Sequence, residues 1–236
     1  MKKFLALILI LLIAAVAATE IFLPQFVTSA LKDQISRATD AQDVSLELSS
    51  SPNAKIILGQ VDKVHSTATE GKIGDVDFHS LELDAAKVNV DVQEILFPTP
   101  NLDGNQRADK ILKSAESIKL SGIITQDGLK NFIEQKAEHV DDIDVKITPQ
   151  EITATGHVKI FGRDADVDIA GMFVLNDGNI YFHATKLDVK NTLVRNIQID
   201  RFMGNVKVLE SSVLPVGLKF TSVQVRDGDI LINAES

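Results

Sequence analysis

The chain has 236 residues, with 24 Lys and Arg against 33 Asp and Glu and a net charge of −9. That acidity argues against a nucleic-acid partner and against electrostatic docking on anionic lipid, and leaves apolar contact with lipid open. Cysteine and tryptophan are absent and Tyr181 is the one tyrosine, which excludes disulfides and a lipoprotein anchor through cysteine and argues against an aromatic carbohydrate platform.

Lys2 and Lys3 precede an unbroken apolar run from Phe4 to Ala18, the pattern of an export signal. As a helix this run spans roughly 22 Å, short of the ~30 Å hydrocarbon core. Ala15-Val16-Ala17 offers an A-x-A-like cleavage site. Ile21, Phe22 and Leu23 extend the run to about 20 residues, enough to span a bilayer. Two outcomes therefore stand: residues 1–23 are a signal peptide cut near Ala17, or a retained anchor. Everything after them is expected on the outer side of the cytoplasmic membrane or in the periplasm. Residues 24–236 form the remaining domain, read either whole or as two helix-plus-sheet halves joined near 97–114.

Pro24 suits a first helical turn. Leu23, Val27, Leu31 and Ile35 then recur at helical spacing, which predicts an amphipathic helix. The period changes to two at Val44, Leu46 and Leu48, a half-buried strand. Ser49 to Asn53 is a turn cluster. A long, mostly polar strand follows Gly59, with a turn expected at Glu70-Gly71. Asp77–Leu83 and Lys87–Val92 read as two further strands. Phe97 to Arg107 is rich in breakers and reads as a loop or joint. Strand pattern resumes at Ile118–Ile124. Thr125 is the expected N-cap of a second amphipathic helix carrying Leu129, Phe132 and Ile133.

The rest is almost entirely β. Strands are expected around Ile143–Ile147, Ile152–Ile160, Val167–Leu175 and Ile180–Lys190. Asn176-Asp177-Gly178-Asn179 is a tight-turn signal, and a final hairpin turns at Asp227-Gly228. Leu193–Gly204 is ambiguous between helix and loop. Leu31-Lys32…Ile35 and Leu129-Lys130…Ile133 lie 98 positions apart, an echo that fits either two related units or two unrelated amphipathic helices.

Chemistry is hard to find in this pattern. No nucleophile elbow, phosphate loop or zinc motif occurs, and the five histidines are scattered, none at metal-ligand spacing on a helix. Asp164-Ala165-Asp166-Val167-Asp168 starts like a calcium loop. That loop needs glycine sixth and glutamate twelfth, where this chain has Ile169 and Leu175. Alternation instead predicts a solvated strand face. Gly122, Gly156 and Gly171 inside strands fit either bending of a curled sheet or close approach of a ligand.

The order of motifs resembles the LmeA-like phospholipid-binding proteins of bacterial envelopes, over Leu23 to Ala234. The residues that carry it are Leu23-Pro24, then Ser51-Pro52 with Leu58-Gly59-Gln60-Val61, then Ile123-Ile124-Thr125-Gln126-Asp127-Gly128-Leu129. Gly156-His157-Val158-Lys159-Ile160-Phe161-Gly162 and Gly171-Met172-Phe173 follow. Leu214-Pro215-Val216-Gly217-Leu218 and Val223-Gln224-Val225-Arg226-Asp227-Gly228 close the series.

The resemblance implies an α+β, tubular lipid-binding-like fold, with a strongly curled antiparallel β-sheet wrapped on one or two long amphipathic helices. It implies binding, and either transfer or sensing, of phospholipid or another acyl lipid in the envelope, without catalysis, cofactor or metal. The expected partners are that lipid and the membrane, with no nucleic acid. The inward apolar residues expected to meet lipid are Leu31, Ile35, Leu129, Phe132, Ile133, Val158, Ile160, Phe173, Phe182 and Val189. The competing readings are an envelope scaffold or interaction protein with a closed core, and a hydrolase whose Asp and His residues converge only in space.

Overall fold

The structure, a computed structural model, describes residues 40–97, 99–101, 104–137, 140–160, 163–190, 205–214 and 217–236, with 28, 29, 32, 33 and 36. The leader, Pro24, most of the first expected amphipathic helix and the 193–204 segment lie outside the described residues. Among the described residues no helix is long and apolar enough to cross a membrane.

The first half runs β1 (Asp43–Ser49), a 3₁₀ turn (Asn53–Leu58), β2 (Gln60–Ile73), β3 (Val76–Val90), α1 (Val92–Leu96), α2 (Gly104–Ile111) and β4 (Leu112–Ser114). Then come β5 (Ser117–Thr125), α3 (Gln126–Lys136), β6 (Val140–Ile147), β7 (Ile152–Ile160), β8 (Arg163–Asn176) and β9 (Asn179–Lys190). β10 (Asn205–Leu209), a 3₁₀ turn (Ser211–Val213), β11 (Lys219–Val225) and β12 (Asp229–Glu235) complete it. One sheet is hydrogen-bonded in the order β1-β2-β3-β5-β12-β11, with β4 beside β3, and the other in the order β10-β9-β8-β7-β6.

This corrects the expected fold. Neither sheet is strongly curled, and the longest described helix has 11 residues. The molecule is predominantly β, not a sheet wrapped on long amphipathic helices. The turns supply the reason. Gly74-Asp75, Asp177-Gly178 and Asp227-Gly228 reverse the chain within two residues, so successive strands pair as hairpins. Edge groups are then satisfied by the next strand, and only short helices fit between.

Two boundaries also differ from expectation. Glu70 takes φ +52° without turning the chain, and β2 continues to Ile73. Lys87 takes φ +48° inside β3, which joins the two strands expected there. The breaker-rich stretch after Phe97 contains the start of α2.

The chain divides into two compact units, residues 1–68 with 82–119, and residues 69–81 with 120–236. In the first, Ile56, Val61 and Val88 are buried together, with Leu48, Val64 and Leu112 packed around them. Gly59 makes this possible. It sits at φ +77°, and a Cβ there would lie 2.1 Å from the Val90 carbonyl oxygen.

In the second unit α3 is capped as the sequence predicts, Thr125 Oγ1 accepting from the Gly128 amide at 3.3 Å. Its seat is set by three contacts to the β2–β3 reversal. A Cβ on Gly128 would meet the Asp77 carbonyl oxygen at 2.7 Å. Asn131 donates to the Asp77 carboxylate at 3.1 Å, and Lys136 pairs with Asp75 at 2.5 Å. α3 also packs on β6, where the Gln126 side chain accepts from the Ile147 amide at 3.0 Å. The last hairpin is tied to the same point, because Gly228 donates to the Ile147 carbonyl. β11 packs across β8 and β9.

The strand glycines are filled by the protein itself. A Cβ on Gly122 would strike the Phe78 ring at 2.6 Å, and one on Gly156 would strike Val140 at 2.6 Å. On Gly171 it would meet the Phe182 ring at 2.6 Å and the His183 carbonyl oxygen at 2.3 Å. Overpacking of this kind costs about 1–3 kcal/mol. Gly171→Ala should therefore lower the melting temperature by several degrees, since each kcal/mol is worth about 2–4 °C at this size. Differential scanning calorimetry checks it, and an unchanged melting temperature contradicts the close packing at Gly171.

Candidate functional site

The five-stranded sheet of the second unit is amphipathic by register. β7 pairs with β8 so that Ala154 faces Ile169, Gly156 faces Val167 and Val158 faces Ala165. β8 pairs with β9 so that Ile169 faces Leu187, Val167 faces Val189 and Phe173 faces Phe182. Side chains alternate across a strand, and a register shift between Ala170 and Gly171 reverses the parity of β9, so these residues share one face. The alternate positions form a charged face: Asp166 lies opposite both His157 and Lys190, and Asp168 opposite Asp188.

The apolar face has two regions. At one end Ile147, Ile152, Phe173, Ile180 and Leu209 are buried. Phe173 and Phe182 meet edge to face, with centroids 5.9 Å apart and planes at 88°. At the other end the rungs Ala154–Ile169–Leu187 and Val167–Val189, with Val158 beside them, remain partly exposed. This is an aliphatic patch without polar side chains, presented by three hydrogen-bonded strands.

A separate cleft of about 220 Å³ opens where α3 meets the β2–β3 reversal and the end of β10. Phe132, Val208, Leu209 and Val213 give it apolar walls, and Lys136 and Lys207 stand at it with Asp75 and Glu210. The 3₁₀ turn that carries Val213 is pinned by the β8–β9 reversal, Ser211 Oγ donating to the Gly178 carbonyl and the Ser211 amide to Asn179 at 2.9 Å. Lys207 is hydrogen-bonded to Glu210, which holds the lysine above its usual pKa and the carboxyl below its own. From Ile180 to Val189 is roughly 30 Å at 3.3 Å per residue, so cleft and patch lie toward opposite ends of the sheet.

The expected lipid-facing residues divide among these places. Val158 and Val189 belong to the patch. Phe132 lines the cleft. Phe173 and Phe182 pack on each other, Leu129 is buried at 4% exposure, and Ile133 is partly buried. Ile160 closes β7 opposite Arg163. Leu31 and Ile35 lie outside the described residues. The expected list did not include Val167, Ile169 and Leu187, which the register brings into the same patch as Val158 and Val189.

The acidic run is a solvated face, as alternation predicts: Asp168 pairs with Lys190 at 2.5 Å and Asp166 with His157 at 2.6 Å. The other described histidines have separate partners. His79 meets Glu70 at 2.6 Å, and His183 meets Asn205 at 2.8 Å. In the first unit His65 Nδ1 lies 2.8 Å from Asp84 and 4.0 Å from Glu82. One atom from each of these three residues falls within 4.8 Å of the others. No spacing in the chain signals this grouping, because Asp84 and His65 meet only through β2–β3 pairing.

The hydrogen bond to Asp84 lifts the His65 pKa above its ordinary value of 6.5, with lesser help from Glu82 and Glu47. A raised folded pKa means that this contribution to stability is fully present below the unfolded pKa and is lost as pH rises through the folded one. Histidine ring signals in an NMR titration should place His65 above 6.5, and Asp84→Asn should bring it back down. A midpoint unmoved by that substitution would contradict the pairing.

A family profile described as LmeA-like phospholipid-binding matches residues 18–235. No match was found among curated proteins or among solved structures.

Proposed function

We propose, because the chain belongs to the LmeA-like phospholipid-binding family, that it is a non-catalytic protein of the bacterial envelope that holds a phospholipid by its acyl chains. The observation that carries the reading is the partly exposed aliphatic patch formed by Ala154, Val158, Val167, Ile169, Leu187 and Val189. Each buried methylene is worth about 0.8 kcal/mol, so an acyl chain lying on this face gains several kcal/mol without any charged contact. That agrees with a surface of net charge −9.

Export by residues 4–18 brings the domain to the outer side of the cytoplasmic membrane, where the bilayer is the source of the ligand. There it works as an anchored protein held by residues 4–23, or as a carrier released by cleavage near Ala17.

The closed scaffold reading has one observation in its favour. The apolar crevice lined by Ile73, Phe78, Leu120, Phe220 and Ile232 has a cavity volume of only about 10 Å³, far below the ~300 Å³ at which ligand pockets begin. Lipid uptake separates the two readings. Fluorescent phospholipid should bind the purified protein, and Val158→Glu or Val189→Glu should weaken binding about tenfold or more, as a charge placed against an acyl chain must be desolvated. Phe132→Glu, in the cleft, should leave binding within about twofold, since it lies away from the patch along strands that rise 3.3 Å per residue. Binding lost on Phe132→Glu and kept in the patch variants overturns this placement. No binding by the unaltered protein favours the scaffold.

A further inference from the structure

Among the described residues of the first unit, the two large apolar side chains most open to water stand at the same end of the β-strands. Leu58 is 75% exposed and Phe97 is 80% exposed. Leu58 ends the 3₁₀ turn that leads into β2, and Phe97 ends the helix that leaves β3. Gly59 locks the two segments together. Its carbonyl accepts from the Val90 amide at 2.7 Å, and its missing Cβ leaves room for the Val90 carbonyl and the Val92 side chain. The presentation of Phe97 is ordered as well. Asp91 caps α1 by accepting from the Gln93 and Glu94 amides, and the Phe97 amide donates to the Gln93 carbonyl at 2.8 Å.

Local charge is the second observation. The protein is acidic, yet Asp62, Asp91 and Glu94, described carboxylates at this end, each have an answer. Asp62 pairs with Lys55 at 3.7 Å, and Asp91 pairs with Lys113 at 3.0 Å. Glu94 accepts from the Thr99 amide and hydroxyl, and Lys110 donates to the same hydroxyl at 3.2 Å. Two protruding apolar side chains on a locally neutral, hydrogen-bonded base suit entry into a lipid interface. A charged rim would resist it, because carrying unpaired charge into the interface is costly.

We propose that Leu58 and Phe97 form a docking tip that inserts into the surface of a phospholipid bilayer. The proposal rests on the phospholipid-binding reading above and assigns a second place on the chain, separate from the aliphatic patch that holds the lipid. Insertion is driven by apolar burial, each side chain contributing in proportion to the area it removes from water, so contact is insensitive to salt.

The chain has no cysteine, so a single introduced one carries a specific label. The full chain is prepared as four variants, Leu58→Cys, Phe97→Cys, Asp177→Cys and Asp227→Cys, each with an environment-sensitive fluorophore. Each is added to phosphatidylcholine vesicles containing a lipid-borne quencher. Labels at 58 and 97 should shift to the blue and be quenched several-fold more than labels at 177 and 227, with or without added salt. Equal behaviour at all four positions overturns the tip. A blue shift at 58 and 97 without vesicles also overturns it, by showing that copies of the chain cover one another there. Phospholipid uptake is measured on the same samples. Uptake without selective quenching overturns the tip alone, and selective quenching without uptake overturns the binding reading alone.

Discussion

The second unit depends on one constraint: alternation along β6–β9, shifted in register at two points, loads one sheet face with apolar side chains that must leave water. Val145, Ile147, Ile152, Phe173 and Ile180 satisfy it by burial. The rungs around Val167 and Val189 satisfy it only in part. An extended apolar surface on a folded protein commonly marks a place of interaction. Here the surface is aliphatic and without polar side chains, the kind that favours acyl chains over peptide or carbohydrate.

The local chemistry serves that constraint. Asp177 and Gly178, both at positive φ, return β9 alongside β8 and so fix the register that groups Phe173 with Phe182. Gly171 and Gly156 remove side chains where Phe182 and Val140 need the space. Gly128 lets α3 press against the backbone of β3, and Asn131 and Lys136 fix it there. The strand glycines thus serve packing between the chain's own elements. The charged opposite face keeps the same sheet soluble through short-range pairs such as Asp168 with Lys190, each worth little alone.

Much of this was legible in the sequence. The Thr125 cap, the Asp177-Gly178 and Asp227-Gly228 turns and the alternation of β6 to β9 each rest on contacts within a few residues. What was not legible rests on long-range pairing. Glu70 and Lys87 look like turn or boundary residues, yet neighbouring strands hold both inside long β2 and β3. The family resemblance implied a long helix under a curled sheet for the amphipathic stretch carrying Leu129 and Phe132. It forms an 11-residue helix packed on β6. Helical periodicity reports which side is apolar and is silent on what covers it. The same holds for Val158 and Val189, 31 positions apart in the chain and gathered only through their shared neighbour β8.

Membership of a phospholipid-binding family and a partly exposed aliphatic face fit the same physical event, the burial of a lipid's acyl chains against the protein. Native mass spectrometry of the purified full chain, paired with solvent extraction and lipid analysis, observes that event most directly. The expected result is co-purifying phospholipid whose mass is carried by the folded protein. Recovery of lipid-free, fully stable protein that ignores added phospholipid would contradict it.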